Sequence, residues 1–289
     1  LCTKQLLQTK LESGSMDLIA DLAFPLPVMV ISKLLGFPYE NQADLKRWSH
    51  DLLAAIDLRG SREESDACFA RAAQSMTEFS SYVRDHIAAR RRQPGPDLLS
   101  TLISVEQSSG KLTEEELIAT CIMLLWAGHE TTVNLIGNGM LALLSNRDQY
   151  RDLKDNPFIT EGAVEELLRF DSPAQMTFRF AFADVDLGGK RLHTGDSVAV
   201  VLGAANRDPD VFENPDDLNL RRPPMRHLAF GSGTHYCLGA FLARQEGAIA
   251  IRSLLDGTKD MSLVDGEPKW NRSIGLRGVT SLRIAIATH

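Results

Sequence analysis

The sequence AFGSGTHYCLGAFLARQE, residues 229–246, places one cysteine in a glycine-rich loop directly before a helical pattern. The cysteine is Cys237, and Gly231, Gly233 and Gly239 stand close to it along the chain. Glycine has no Cβ, so it accepts a positive φ and allows another group to approach its backbone closely. The spacing indicates a loop whose backbone and thiol both need such an approach.

Cys237 has three interpretations at this point. It can be a buried structural thiol, because cysteine is among the most buried residue types. It can be a nucleophile with His235 as its base, although no Asn or Asp that would orient the histidine is evident. It can also be the single protein ligand of a metal whose other ligands belong to a cofactor, as in haem. The third interpretation explains the glycines, and a helix beginning near Leu238 would favour the thiolate through its N-terminal amides.

The segment FGSGTHYCLG, residues 230–239, resembles the loop F-G-x-G-x-[RH]-x-C-x-G of the cytochrome P-450 superfamily, in the His-containing form of soluble bacterial members. The resemblance implies a mainly α fold with small β-sheets and a long central helix over haem b, with Cys237 as the axial ligand of the haem iron. The other haem contacts that it implies are Phe230, Gly231, His235 and Gly239 in the loop, Arg179, and Ala127 and Gly128 on the central helix. Arg179 and His235 would bind a haem propionate; read alone, Arg179 is an exposed arginine at a strand end.

The composition is that of a globular protein, with 44% hydrophobic and 24% charged residues. The net charge of −7 gives no indication of nucleic-acid binding. The longest apolar run, residues 117–128, is too short to span a membrane, and the four cysteines show no C-x-x-C spacing. We expect a soluble, cytoplasmic protein without nucleic-acid or membrane partners, and one cytochrome P-450 domain over residues 1–289.

A long, mostly apolar helix is predicted from Thr113, which begins a T-x-x-E capping box, to about Ser145. Its middle contains AGHETT, residues 127–132, whose polar residues interrupt the apolar pattern. A threonine here can donate its hydroxyl to the carbonyl four residues back. A polar patch that faces solvent is the alternative. The resemblance implies instead that Glu130 and Thr131 are catalytic and relay protons during oxygen activation.

Glu166 and Arg169 form an E-x-x-R pair within a predicted helix. Such a pair is usually a surface ion pair of small energetic value. The resemblance implies a buried structural network, completed by an arginine from the segment before the cysteine loop. We expect Arg221 in that role, with Arg222 as the rival.

The remaining elements follow from local patterns. Helices are predicted over residues 16–37, interrupted by Pro25 and Pro27, over residues 41–92, and from Thr160 as N-cap to Phe170. Gly-Gly and Gly-Asp turns predict short hairpin strands over residues 185–202, and LRIAIA, residues 282–287, alternates like a strand.

The resemblance implies an enzyme, a haem-thiolate monooxygenase that inserts one oxygen atom from O2 into a small, mostly apolar organic substrate. The substrate pocket would comprise Leu124, Leu125, Ala174, Gln175, Met176, Thr177, Ser273, Ile274 and Gly275. No dinucleotide or flavin fingerprint occurs, so we expect electrons from a separate ferredoxin-type donor with its reductase. Arg222, Arg226 and Arg244 are candidates for docking an acidic ferredoxin.

Two alternatives remain open from the sequence. One is a haem-thiolate enzyme that does not oxygenate, either peroxide-driven or an isomerase, and the Glu130–Thr131 pair argues against it. The other is an inactive fragment that cannot hold haem. The resemblance begins near Met16 and lacks the family's N-terminal block, so we expect an N-terminally truncated fold, which favours this second alternative.

Overall fold

The computed structural model describes residues 2–8, 10–56, 61–109, 112–264 and 266–288. Within them the chain is mainly helical with small β-sheets, as predicted. In chain order the α-helices are α1 (Cys2–Leu7), α2 (Pro25–Leu35), α3 (Gln42–Ile56), α4 (Arg62–Arg92), α5 (Leu98–Ser109), α6 (Glu114–Ser145), α7 (Arg147–Asp155), α8 (Thr160–Phe170), α9 (Leu202–Ala205) and α10 (Ala240–Gly257). None of the helices in this part of the chain combines the length and the apolar character that crossing a membrane requires.

The strands are short and pair antiparallel. They are β1 (Ser15–Asp17), β2 (Met176–Phe180), β3 (Val185–Leu187), β4 (Lys190–Leu192), β5 (Ser197–Val201), β6 (Asp260–Leu263), β7 (Lys269–Trp270), β8 (Val279–Ser281) and β9 (Arg283–Ala287). Within the described residues β9 lies between β1 and β6, and β2–β5, β3–β4 and β7–β8 form two-stranded sheets. The predicted hairpin is present as β3–β4, with Gly188 and Gly189 at positive φ in its turn. β5, however, pairs with β2 and not with β4.

The long helix α6 belongs to two apolar cores. It begins as predicted, because Thr113 Oγ1 accepts the Glu116 N–H at 3.2 Å and Glu116 Oε2 accepts the Thr113 N–H at 2.7 Å. Side chains of its first half, such as Leu117, pack in a core shared with α2, α3, α4 and α5. Side chains of its second half, such as Met140, pack in a core shared with α8, α10 and β9. The AGHETT motif, residues 127–132, lies between these two sets.

Several predicted helix boundaries need correction. In the helix predicted over residues 16–37, residues 16 and 17 lie in β1, and Pro25 and Pro27 are the first and third residues of α2 rather than interruptions of it. The pattern over residues 41–92 comprises two helices, since Ser61 caps α4 in a capping box with Glu64; residues 57–60 lie outside the described residues. Thr160 is the first residue of α8 and not its N-cap. Its hydroxyl donates to the Pro157 carbonyl at 2.6 Å, in the turn that precedes the helix.

Candidate active site

Cys237 lies in an exposed loop that a backbone hydrogen bond closes. The Cys237 N–H donates to the Phe230 carbonyl at 3.0 Å. Because Cys237 is exposed, its interpretation as a buried structural thiol is wrong. Gly231 and Gly233 both have a φ of 70°, a conformation that strains residues with a Cβ. The shape of the loop therefore requires these two glycines.

Gly239 has a different role from the other loop glycines. Its φ is −85°, which residues with side chains also adopt. A Cβ at Gly239 would lie 4.0 Å from Cys237 Sγ, so a side chain here would occupy the space beside the sulfur. The helix α10 begins at Ala240, two residues later than predicted, so Cys237 lies three residues before the first residue of this helix.

The cysteine loop is supported by an ion-pair network that was not predicted from the sequence. Glu165 accepts hydrogen bonds from Arg244 Nε at 2.6 Å and from His227 Nε2 at 3.1 Å. The Arg244 guanidinium lies over the Phe230 ring at 4.4 Å, and its Nη1 donates to the Tyr236 hydroxyl at 3.2 Å. Burial alone would raise the pKa of Glu165, but the hydrogen bonds from His227 and Arg244 outweigh it and hold that pKa at about 2. Arg244, held by Glu165, therefore contacts two aromatic residues of the loop, Phe230 and Tyr236.

The E-x-x-R pair is buried in α8 and joins a third charged side chain. Arg169 donates to Glu166 through Nε at 2.7 Å and through Nη2 at 2.8 Å. Arg222 Nε lies 3.1 Å from Glu166 Oε2. Arg169 Nη1 also donates to the Asn206 and Pro215 carbonyls, both at 2.9 Å. The network connects α8 to the irregular segment that leads to the cysteine loop.

The prediction that Arg221 completes this network is wrong, and the rival Arg222 has that place. Arg221 lies on the surface and donates to both carboxylate oxygens of Asp152 at 2.7 Å. The Arg222 N–H donates to the Asn219 carbonyl at 3.0 Å and closes a turn here. Successive side chains point in different directions at such a turn, so only one of the two arginines reaches Glu166.

The AGHETT motif combines a weak hydrogen bond with a close helix contact. Thr131 Oγ1 lies 3.5 Å from the Ala127 carbonyl, at the outer limit for a hydrogen bond. A Cβ on Gly128 would lie 2.9 Å from Ile31 Cγ1 in α2. Ile31 therefore fills the space beside Gly128, and the absence of a side chain at the glycine allows α2 and α6 to approach. Glu130 and Thr131 are half-buried.

His129, in the same motif, was not singled out from the sequence. It is buried, with 2% of its surface exposed, and its Nδ1 lies 2.7 Å from the Leu125 carbonyl. Burial lowers the pKa of His129, and the neighbouring carboxylate of Glu130 opposes this effect in part. A solvent-facing position for the whole motif is excluded, because this side chain points into the protein.

The structure brings together two of the three segments predicted to line the substrate pocket. Ala174 pairs with Leu276 in an isolated antiparallel bridge, and the Gln175 N–H donates to the Gly275 carbonyl at 2.8 Å. Residues 174–177 and 273–275 are thus neighbours through their backbones. Their part in substrate binding stays a prediction.

The two leucines predicted for the pocket differ from each other. Leu125 is 1% exposed and packs in the first apolar core, so the prediction that it lines an open pocket is wrong. Its position on α6 turns it toward the neighbouring helices instead. Leu124 is half-buried and packs against the same core from its edge.

Arg179 and His235 are both exposed. Arg179 lies in β2, where its Nη1 donates to Thr177 Oγ1 at 3.0 Å and to the Phe178 carbonyl at 2.8 Å. His235 ends the short helical turn just before Cys237. Both side chains present donors that suit a carboxylate, and their role as propionate ligands stays a prediction.

Glu246 is a second titratable group that the sequence analysis missed. It lies in α10 and is buried, with 5% of its surface exposed. Burial raises its pKa to about 8, and its Oε2 has no hydrogen-bond partner among the described residues. The side chain is therefore protonated over much of the neutral pH range.

The donor set at the cysteine loop fits a haem group. The exposed Cys237 thiol, on a loop of glycines that precedes a helix, would supply a single sulfur ligand to the haem iron. The exposed Arg179 and His235 carry nitrogen atoms that can donate hydrogen bonds to carboxylates. Fold and site together define a haem-thiolate protein of mainly helical architecture.

Comparison with known proteins identifies the family. The cytochrome P450 family model matches residues 42–257. The chain is 43% identical over 269 residues to the biotin biosynthesis cytochrome P450 of Bacillus subtilis, which covers 93% of this chain and 67% of that protein. It is 42% identical over 275 residues to the cytochrome P450 monooxygenase PikC of Streptomyces venezuelae, covering 94% of this chain and 64% of that protein.

A solved structure shows the same fold over nearly the whole chain. The crystal structure of P450BioI in complex with a hexadec-9Z-enoic acid ligated acyl carrier protein has a TM-score of 0.90 at 41% identity, over 99% of this chain and 72% of that chain. The chain therefore belongs to the cytochrome P450 family, of bacterial type, whose named members here are monooxygenases. It spans about two thirds of the length of the curated relatives that it matches.

Proposed function

We propose that this chain is a haem b monooxygenase that inserts one oxygen atom from O2 into a small, mostly apolar organic molecule. The observation that carries the proposal is the exposed thiol of Cys237 on its glycine loop. Bound haem supplies the iron at which O2 is activated. Cys237 would bind that iron through its sulfur, and Arg179 and His235 would donate hydrogen bonds to the haem propionates.

Two side chains of α6 would move protons. Glu130 is half-buried, so its carboxyl group can exchange protons with water and still face the protein interior. The Thr131 hydroxyl holds the Ala127 carbonyl only weakly, at 3.5 Å, and is therefore easily redirected to another acceptor. When the Thr131 oxygen accepts a proton from Glu130, it can release the proton that it carried before.

The apolar substrate class is supported by the ligands in two related structures. P450BioI was solved with a hexadec-9Z-enoic acid ligated acyl carrier protein, and CYP109E1 from Bacillus megaterium with testosterone. In this chain the joined segments 174–177 and 273–275 would contact the substrate, with Leu124 on α6.

The electron donor is proposed to be an acidic ferredoxin that docks near Arg226. Arg222 and Arg244 are committed to Glu166 and Glu165, so these two are less suited to docking. Among the described residues Arg226 is paired with no carboxylate, and it donates to Ser232 Oγ at 2.9 Å. A cavity of about 690 Å³ that Arg226 lines lies between α8 and α10. The cytoplasmic location is supported by the four unpaired cysteines.

The first test is the absorption spectrum of the reduced, carbon-monoxide-bound chain after haem is supplied. A strongly red-shifted Soret band is expected for wild type and not for Cys237→Ser, with Cys121→Ser as the matched control, because Cys121 is a free cysteine buried in the first core. Absence of bound haem would support the inactive-fragment alternative. A thiolate spectrum with turnover by peroxide and none by O2 and a ferredoxin system would support the non-oxygenating alternative.

A further inference from the structure

The buried histidine of the AGHETT motif has one satisfied nitrogen and one that is left over. His129 Nδ1 lies 2.7 Å from the Leu125 carbonyl, which can only accept, so Nδ1 carries the proton and donates it. In a neutral imidazole the second nitrogen, Nε2, is then an unprotonated acceptor. Burial favours this neutral form, since it lowers the pKa of His129.

The unprotonated nitrogen faces a carboxylate. His129 Nε2 is buried without a hydrogen-bond partner among the described residues, and it lies 3.8 Å from Glu130 Oε2. This distance exceeds a hydrogen bond, but a change of rotamer in the flexible Glu130 side chain can close it. An unpaired acceptor in the protein interior is costly, so a donor at this position stabilises the site.

Two other groups near His129 are an aromatic ring and an ammonium group stacked on that ring. Phe24, at the start of α2, presents its ring edge-to-face to the imidazole, with the ring centres 5.9 Å apart. The Lys46 ammonium of α3 lies over the Phe24 ring, 4.7 Å from its centre. Among the residues that the structure describes, the carboxyl group within 4 Å of His129 Nε2 is that of Glu130, on the same helix.

We propose that His129 is a positioning residue of the proton relay: its Nε2 accepts a hydrogen bond from the protonated carboxyl of Glu130 and holds that carboxyl ready for transfer. The inference rests on the proposed function. Glu130 gives its carboxyl proton to Thr131, Thr131 passes on its own hydroxyl proton, and Glu130 regains a proton from water. His129 stays neutral throughout.

The matched control is His86 in α4. Its Nδ1 lies 2.8 Å from the Tyr82 carbonyl, also four residues back, and its ring packs on Phe37 at 4.8 Å. His86 thus repeats the local hydrogen bond of His129. Among the described residues it is paired with no carboxylate. Substituting His86 therefore shows the effect of losing the hydrogen bond to the helix backbone without the loss of a carboxyl contact.

The first experiment is ¹⁵N NMR of the histidine rings in the haem-free chain, for wild type and Glu130→Gln. We expect His129 to carry its proton on Nδ1 and its Nε2 signal to change in Glu130→Gln, because the carboxyl group beside that nitrogen is replaced. The His86 signals are expected to stay unchanged. A proton on Nε2 of His129, or a His129 ring that is indifferent to Glu130→Gln, overturns the proposal.

The second experiment measures peroxide release per reducing equivalent in the haem-loaded enzyme. His129→Phe is expected to raise this ratio several-fold, His129→Gln to restore it in part through its amide oxygen, and His86→Phe to leave it at the wild-type value. An unchanged ratio in His129→Phe overturns the role in proton delivery. Because the NMR readout needs no haem, failure of haem binding and failure of the His129–Glu130 interaction are separate results.

Discussion

Arg222 Nε lies 3.1 Å from Glu166 Oε2 inside the protein, whereas the adjoining Arg221 pairs with Asp152 on the surface. Glu166 is 4% exposed, and its carboxylate is shared between two guanidinium groups, those of Arg222 and Arg169. A buried charge of this kind is tolerated because its partners are fixed by further hydrogen bonds to backbone carbonyls. The network therefore joins α8 to the segment that carries the cysteine loop.

Removing Arg222 should destabilise the fold, and removing Arg221 should not. Arg222→Ala leaves the Glu166–Arg169 pair short of one buried partner, and the expected loss is about 3–5 kcal/mol of unfolding free energy. Arg221→Ala removes only an exposed ion pair. Urea unfolding of both variants measures the difference. Equal midpoints for the two would contradict the assignment of Arg222 to the network.

Gly128→Ala should destabilise the contact between α2 and α6. The added Cβ would lie 2.9 Å from Ile31 Cγ1, and overpacking of this kind costs about 1–3 kcal/mol. Gly162→Ala in α8 is the control, because its Cβ would meet nothing within 4 Å and the higher helix propensity of alanine should stabilise by about 0.5–1 kcal/mol. Thermal unfolding compares the two. A stabilised Gly128→Ala would show that Ile31 moves aside freely.

Substitutions at two loop glycines should affect different properties: Gly231→Ala the free energy of unfolding, and Gly239→Ala the affinity for haem. Gly231→Ala places a side chain at a φ of 70° and should cost about 1–2 kcal/mol of unfolding free energy in the haem-free chain. Gly239→Ala keeps an ordinary φ but adds a methyl group beside Cys237 Sγ, so we expect normal unfolding and weaker haem binding. Urea unfolding and haem titration of each variant test this. The reverse pattern would show that Gly239 is needed for folding and not for access to the sulfur.

Glu246 should make the chain less stable as the pH rises. Its pKa in the folded chain is about 8, above the ordinary value of 4.5. The protonated form is therefore favoured by folding, and this stabilisation is complete below pH 4.5 and is lost as the pH rises to about 8. The expected slope is up to about 1.4 kcal/mol per pH unit in that interval.

Glu246→Gln is the variant that tests this, because its amide is neutral at every pH. We expect it to flatten the decline in stability between about pH 5 and 8, measured by urea unfolding at several pH values. Glu165 should behave with the opposite sign: its pKa of about 2 gives stability that is lost as the pH falls. A Glu246→Gln variant with the wild-type pH dependence would show that another group is responsible.

Local signals in the sequence predicted much of the fold. The capping box at Thr113 and Glu116 and the Gly188–Gly189 turn depend on residues that are close along the chain. The same is true of the glycine loop around Cys237, whose residue spacing alone carries the resemblance to the cytochrome P450 family. Such signals act through hydrogen bonds and backbone angles that a few neighbouring residues determine by themselves.

The tertiary structure decided which side chains meet. It placed Arg222 and not Arg221 beside Glu166, set Ile31 against Gly128, and buried His129 beside Glu130. These contacts depend on how a turn directs two adjacent side chains and on how remote helices are placed against α6. By itself the sequence determined the helices, the turns and the cysteine loop. The contacts of Arg222 with Glu166 and of Ile31 with Gly128 were decided only by packing, because these partners come from distant parts of the chain.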